Sequence, residues 1–458
     1  LGGLASRRWR VRRAPAPRPD LLRRIPGLRR LVRHPATRPL AQIVFVGLFA
    51  ALLLAGLAGD ADPRRNPAPL VTWTIWWGAI VLVTPVLGKA WCYVCPWDAI
   101  AGWIQRPAWR PTAPGRGLRL RWPKRLRHIW WTVALFTLLT GIEAGLSLDR
   151  TPRGTAAVGI AMLLVTIGFA LVFERRAFCR YVCPPGNVTG LFALCGAVEV
   201  RTMDAEVCMA CRTKDCYHGN QWGVGCPTDL FPASFTENTF CINCLECVKT
   251  CPMDVMSVRA RPFGADLVEH RDPRLDEAVL ALFVLAFTFA GALRARPAGE
   301  WLSPGTPAGG WLASGGAIFG AAAAVGAVFA GAVALARPGG PERTRFWPAV
   351  TRLAYGLLPL ALLFTLAHHL GTLGREGASL GPSLRHPLGG PAEGAAGPPA
   401  PLFSPLALWL AAILLVAAGA AWSARATERQ ARALALRRLP LAAAIVLFAL
   451  AALWVLTP

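Results

Sequence analysis

The sequence predicts an α-helical polytopic membrane protein of about nine spans, interrupted by one small α+β domain rich in cysteine. Three observations carry that expectation. Hydrophobic residues make up 54% of the 458, and mean hydropathy is +0.42, too apolar for an ordinary soluble enzyme. Several uninterrupted apolar stretches reach the roughly 17 to 25 residues that a helix needs to cross a hydrocarbon core about 30 Å thick. All thirteen cysteines fall between Cys92 and Cys251, most of them at ligand-like spacings.

Residues 1–39 form a basic arm, with Arg7, Arg8, Arg10, Arg12 and Arg13 followed by Arg23, Arg24, Arg29, Arg30 and Arg33. The arm is too charged for a signal peptide, and its charge assigns it to the cytoplasm. The net charge of +24 is concentrated here and in loops between apolar stretches, which is the pattern of topology signals. No DNA-binding motif or run of stacking aromatics accompanies it, so anionic lipid rather than nucleic acid is the expected partner.

Four spans are expected over residues 40–200, at 40–59, 70–88, 129–148 and 157–173. The cysteine-rich domain follows over 201–276. Five more spans complete residues 277–458, at 278–293, 311–336, 349–373, 402–422 and 439–456, the first of these being short. Gly and Ala dominate 315–331, which suits close helix packing. Threading from an inside amino terminus puts the loop carrying Lys89, Arg106, Arg110, Arg116, Arg119, Arg121, Lys124, Arg125 and Arg127 in the cytoplasm. Arg343, Arg345, Arg425, Arg429, Arg432, Arg437, Arg438 and the cysteine-rich domain fall on the same side. The Gly/Pro-rich loop 375–401 and the carboxy terminus lie outside, in a bacterial-type inner membrane.

The chain from Cys241 reads Cys241-Ile-Asn-Cys244-Leu-Glu-Cys247-Val-Lys-Thr-Cys251-Pro252, the bacterial ferredoxin spacing. Three such thiolates wrap one 4Fe-4S cube and the fourth, before proline, reaches another, so one run predicts a second. The second is stretched: Cys208-x-x-Cys211-x-x-x-x-Cys216, then Cys226-Pro227. The exchange rule assigns Cys208, Cys211, Cys216 and Cys251 to one cluster, and Cys241, Cys244, Cys247 and Cys226 to the other. The insertion is therefore expected to be a small α+β two-cluster ferredoxin-like domain. Structural zinc, which also uses Cys-x-x-Cys, has no need of a third close cysteine and an outlying Cys-Pro.

Two further stretches repeat one another, Gly88-Lys-Ala-Trp-Cys92-Tyr-Val-Cys95-Pro96 and Arg176-Ala-Phe-Cys179-Arg-Tyr-Val-Cys183-Pro184. Each follows an expected span, so an internal duplication of a two-span hairpin brings both pairs to one membrane depth. With these motifs, residues 40–261 resemble the NapH and NosR type of membrane iron–sulfur protein. The resemblance implies electron transfer from the quinol pool or within a respiratory or metal-handling assembly. The first pair is one residue shorter than that family's Cys-x-x-x-Cys, the flavin-bearing domain of the NosR branch is missing from this sequence, and the carboxy-terminal helices are additional.

Three readings of Cys92, Cys95, Cys179 and Cys183 stand: a redox-active dithiol or metal relay, a third metal site shared by all four, or structural thiols. Lys89, Arg175, Arg176 and Arg180 nearby are expected to favour thiolate. Cys195 reads as a buried apolar residue. Glu143, near the outer end of the third span, is either a proton acceptor from a quinol or an interfacial carboxylate beside Arg150 or Arg153. His368 and His369 suggest quinone contact or an interfacial pair. Neither His128, at the opposite surface, nor His386, in a loop, supplies a second axial ligand at matching depth, so no haem is expected.

The leading expectation is an iron–sulfur electron-transfer protein between quinone and a protein partner. The alternative is a factor that reduces metal for assembly of a respiratory enzyme. A transporter lacks intramembrane charges to hold a solute, and no glycine fingerprint for a nicotinamide cofactor follows a strand.

Overall fold

A computed structural model describes residues 18–107, 110–235, 237–269, 273–295, 307–338, 345–385, 387–388 and 400–457. Arg7, Arg8, Arg10, Arg12, Arg13, Arg343, and His386 and 389–399 of the loop 375–401 lie outside the described residues. Each of the nine expected spans falls on a helix, and among the described residues eight helices are long and apolar enough to cross a membrane: Thr37–Ala58, Pro67–Leu87, Pro152–Val172, Leu275–Arg294, Gly315–Ala336, Phe346–Arg385, Pro405–Ala433 and Leu439–Leu456. The expected third span is the 17-residue helix Trp130–Leu146, about 25 Å long at 1.5 Å per residue. The expected short fifth span is a 20-residue helix.

The chain divides into two compact units. One comprises 49–83, 128–161 and 267–458. Within it Leu275–Arg294 and Phe346–Arg385 are mostly buried, whereas Pro405–Ala433 and Leu439–Leu456 leave most of their apolar surface open, as lipid-facing helices do. Several buried polar groups here pair with one another. Asp276 accepts from Ile129 N at 2.7 Å, Tyr355 donates to Glu277 at 2.9 Å, and Thr288 and Thr365 hydrogen-bond at 2.9 Å. Asn66 stops one helix and starts the next, donating to Ala55 O and Asp60 O and accepting from Ala68 N ahead of Pro67. Close helix packing uses Gly356 and Gly419, where a Cβ would meet Thr427 Oγ1 at 2.3 Å and Leu360 Cα at 3.1 Å. The glycines from Gly315 to Gly331 instead have open space there, so the expected close packing of that stretch does not occur at its glycines among the described residues.

The other unit comprises 1–48, 84–127 and 162–266 and contains every cysteine. Strands β1 (Val198–Thr202) and β2 (Met256–Ala260) pair antiparallel, from Val198↔Ala260 to Thr202↔Met256. All the cysteines from Cys208 to Cys251 lie in the chain between them. Val200 of β1 and Met256 and Val258 of β2 bury an apolar cluster with Val248 and Leu22, against which Leu28, Val32, Cys241, Cys247 and Cys251 also pack. Leu22 belongs to the basic arm. Its short helices Leu21–Arg24 and Leu28–Arg33 turn at Gly27, whose φ of +78° favours glycine. Asp20 accepts from Val258 N at 3.2 Å, Arg18 pairs with Glu199 at 3.2 Å and Arg33 with Asp254 at 2.6 Å. The described part of the arm is thus a wall of the cysteine-rich segment, a role its charge pattern did not reveal.

Beside the sheet Arg261, its side chain fully buried, reaches Glu199 at 3.4 Å, Asp266, and Gly196 O at 2.8 Å, while buried Arg259 of β2 donates to Ser257 Oγ and Thr202 O at 2.8 Å each. The basic loop after the first cysteine pair lies along a helix end, with Leu118 N donating to Leu171 O at 2.7 Å and Trp122 stacked on Tyr181.

Leu22→Ala removes a side chain that is 4% exposed from the apolar cluster and is expected to destabilise the wall by about 2–5 kcal/mol. Hydrogen exchange of the β2 amides Met256–Ala260 should accelerate accordingly. Unchanged exchange would show that the arm is not part of this core.

Candidate iron–sulfur centre

The two cysteine pairs adopt one local structure twice. The first cysteine of each sits on a short helix, Trp91–Val94 for Cys92 and Ala177–Tyr181 for Cys179. The second, Cys95 or Cys183, turns extended in front of a proline that opens a new helix, Pro96–Gln105 or Pro184–Phe192. Proline explains both halves of that turn. It disfavours the helical region for the residue before it, and its own fixed φ suits the first helical position. The sequence repeat is therefore also a structural one.

The fold brings the four thiols together. Cys95 interacts electrostatically with Cys92 and Cys183, and Cys179 with Cys183, Cys92 and Cys95. Burial first, and neighbouring thiolates second, push Cys95 and Cys179 well above the ordinary thiol range. Burial pushes Cys92 to about 11 and Cys183 to about 12. The expectation of ready thiolates is thus reversed, because burial outweighs the neighbouring cations. Of the four cations expected to act, Arg175 instead donates to Tyr217 O and Cys226 O, Arg180 to Thr228 O, and Arg176 pairs with Asp98. Lys89 alone among them lowers Cys92 and Cys183. Four buried thiols that oppose one another's ionisation fit a positively charged metal core, which removes that opposition when bound.

Three residues that sequence reasoning missed complete this site. Asp98, in the first turn of Pro96–Gln105, accepts a hydrogen bond from Cys179 Sγ at 3.6 Å and pairs with Arg176 and Arg38. Its carboxyl is pushed up to about 7 by burial, against the pull of Arg38. Arg38 in turn lies 3.7 Å from Asp98 and 3.4 Å from Glu246, with its guanidinium over the Tyr93 ring. Glu246 stands between Cys244 and Cys247 in sequence. The available signal was position: a cation three residues before the first cysteine of each pair, and an acid three residues after Cys95.

The ferredoxin-type run is shaped by backbone as much as by cysteine spacing. Asn243 and Leu245 take positive φ, 48° and 58°, and fold the tight wrap from Cys241 through Cys244 to Cys247. Asp204 caps the helix Ala205–Ala210 that carries Cys208, accepting from Glu206 N and Val207 N. Gly219 and Gly225 cross so closely that a Cβ on Gly225 would meet Gly219 N at 2.5 Å, and this crossing returns Cys226 to the vicinity of Tyr217. Cys208 donates to Thr202 Oγ1 at 3.1 Å, and Leu230 N donates to Cys226 Sγ at 3.3 Å.

The charge neighbours of Cys216 are Cys208, Cys251, Cys211 and Cys226, and burial first, then these, push it up to about 12. Those of Cys247 are Cys244, Cys241, Cys226 and Cys216, and burial dominates its upward shift. Burial likewise raises Cys208, Cys241 and Cys244. Cys92 packs directly on Ile242 and Cys244, so the pair site adjoins the run. Among the described residues, no three His, Cys, Asp or Glu side chains close to the spacing that a single metal ion needs.

The remaining candidates lie elsewhere. Cys195 is fully buried and has Arg261 and Asp266, rather than another cysteine, as its charged neighbours. Glu143 faces Arg294 at 3.8 Å, not Arg150 or Arg153. His369 meets Trp77 edge-on beside His368, whereas His128 stacks on Trp131.

The family described as Fer4_5, 4Fe-4S binding domain, matches residues 70–125 and 155–197, which contain Cys92, Cys95, Cys179 and Cys183 but stop short of Cys208. YccM of Escherichia coli (strain K12), assigned by name to electron transport, is 29% identical over 154 residues, covering 33% of this chain and 39% of that protein. The ferredoxin-type protein NapH of the same organism is 26% identical over 113 residues, 22% of this chain and 36% of its own length. An uncharacterised protein of Methanocaldococcus jannaschii is 28% identical over 123 residues, 27% and 45% respectively. The chain thus spans less than half the length of these curated relatives. No solved structure matches it. With a 4Fe-4S binding domain centred on its repeated cysteine pairs, the chain is similar to membrane iron–sulfur proteins of the NapH kind.

Proposed function

We propose that this chain moves electrons at a bacterial-type inner membrane through three 4Fe-4S clusters. Cys208, Cys211, Cys216 and Cys251 hold one, and Cys241, Cys244, Cys247 and Cys226 a second. The repeated pairs Cys92/Cys95 and Cys179/Cys183 hold a third, where the sequence left three readings open. The observation that carries the proposal is the convergence of twelve of the thirteen cysteines into three adjoining groups within one compact unit. Cysteine thiolates are the donors such clusters use, and the clusters supply reversible one-electron chemistry. The chain's own contribution is burial, which excludes water, and the buried Arg38, Lys89 and Arg201 with the partly buried Arg176, which offset negative charge. Quinone is the proposed membrane-side partner, from the resemblance to NapH-type proteins, and a protein the other. The cysteine-rich segment is read as the inserted ferredoxin-like domain. The basic loops support a cytoplasmic side for it.

Anaerobically purified protein is expected to carry about twelve iron and about twelve acid-labile sulfide per chain, four of each per cube. Cys92→Ser with Cys179→Ser should lower both to about eight. Zinc in place of iron would overturn the redox reading, and a wild-type content of about eight would return the pairs to a dithiol role.

A reduced short-chain quinol, added without oxygen, is expected to bleach the visible absorbance of the clusters. Clusters that dithionite reduces and quinol does not would remove quinone as donor.

The side of the carboxy terminus depends on the helix Trp130–Leu146. If it crosses, nine crossings put the terminus outside, so a carboxy-terminal alkaline phosphatase fusion should be active and a green fluorescent protein fusion dark. The opposite pattern would mean eight crossings.

A further inference from the structure

Lys89 is the largest departure in this unit from the rule that buried charge is paired. It is 1% exposed, and among the described residues no carboxylate lies within ion-pair distance of it. Its ammonium donates one long hydrogen bond, 3.4 Å to Thr239 O. Residue 190 is glycine where Thr239 O, the acceptor of that hydrogen bond, comes within 2.5 Å of where a Cβ would stand, with Nζ in ordinary contact at 3.4 Å. Leaving an ammonium buried without a counter-charge costs several kcal/mol, so the site implies an anion that the polypeptide's carboxylates do not provide.

The duplication explains why Lys89 stands alone. Aligned on the first cysteine of each pair, Lys89 is the counterpart of Arg176. Aligned on the Cys-Pro steps, Asp98 is the counterpart of Gly186. Arg176 of the second repeat pairs with Asp98 of the first. The reciprocal pair would join Lys89 to residue 186, and glycine there offers nothing. The positive charge of Lys89 acts on thiols of both sites, lowering Cys92 and Cys183 in the pair site and Cys241 in the ferredoxin-type run against the larger upward push of burial. The loop that carries it is held against the run by Asn243, whose Nδ2 donates to Leu87 O at 2.7 Å.

We propose that Lys89 is a positioning cation shared by two adjacent clusters, one ligated by the repeated pairs and the other by Cys241, Cys244, Cys247 and Cys226. This rests on the iron–sulfur reading above. A fixed positive charge favours the more negative, reduced state of each cluster, so Lys89 raises both reduction potentials together. Arg38 does not duplicate this role, because Asp98 and Glu246 already neutralise it.

The test is a redox titration of the full-length purified protein followed by electron paramagnetic resonance, on wild type, Lys89→Met and Lys89→Arg. Iron is counted in parallel, and the pair-site signal is identified by its loss in the Cys92→Ser, Cys179→Ser variant. K89M should shift the reduction equilibrium of both clusters about tenfold toward the oxidised form, about 59 mV for one electron. K89R should stay near wild type. Iron lost from K89M and retained in K89R would also support a requirement for charge. Unmoved potentials, a shift at one cluster alone, or equal damage in K89M and K89R would overturn the proposal. A wild type without iron would instead overturn the iron–sulfur reading on which it stands.

Discussion

Crowding of buried thiols is the constraint around which the cysteine-bearing unit is organised. Twelve cysteines in three adjoining groups cannot ionise together in a water-poor interior unless positive charge meets them. The fold answers with buried cations, each held by a different device. Arg38 is clamped between Asp98 and Glu246, Arg176 is tied to Asp98, Arg201 is fixed by Glu199 and Asn238, and Lys89 is left facing sulfur. Glu199, Glu246 and Asp98 accordingly act as spacers that set where the cations stand. Neutralising any one of these acids would take a carboxylate away from a buried or partly buried guanidinium, so the acids belong to the arrangement as much as the cations do.

The small sheet and the basic arm follow from the same demand. Between β1 and β2 lies a chain with little regular structure, and its turns depend on positive-φ residues such as Lys214, Asn243 and Leu245. Such a segment has few backbone ladders of its own. Its order comes from the apolar cluster of Leu22, Val200, Val248, Met256 and Val258, and from ion pairs that fasten the arm to Glu199 and Asp254. The arm's arginines therefore serve two purposes, as a topology signal in its exposed residues and as a clasp where Asp254 and Glu199 meet it.

Much of this was legible in the sequence, for physical reasons. A span announces itself by length and apolarity, so each of the nine expected stretches coincided with a helix, and the doubt over Trp130–Leu146 reflects its 17 residues. Cysteine spacing announced the groupings. Tertiary charge was not legible: Arg38 reads as the last residue of a basic arm, and nothing local says that it will lie beside Glu246, some two hundred positions onward. The bias toward thiolate was misread for a related reason. Sequence shows which cations are near in the chain, whereas burial and competing partners such as Asp98 decide which of them act. The glycines of 315–331 misled in the same way, because a small residue permits close packing and does not require it.

The order of the three groups bears on how electrons would pass between them. Cys216, Cys226 and Cys247 place the first cysteine set against the second, and Cys92, Ile242 and Cys244 place the second against the repeated pairs. The pairs themselves sit where Pro67–Leu87 and Pro152–Val172 end. At the other extreme, Pro252 and Met253 beside Cys251, and Arg212 beside Cys211, are exposed. On the proposed reading this is a wire with one wet end and one end at the membrane edge. Transfer between neighbouring centres weakens steeply with separation, so direct contact between groups matters more than the number of centres. A shared cation such as Lys89 would shift the second centre and the pair centre in the same direction, and so would add no slope between them. The direction of flow would then be set by what docks at the wet end and what reaches the membrane end, and not by a slope built into the chain.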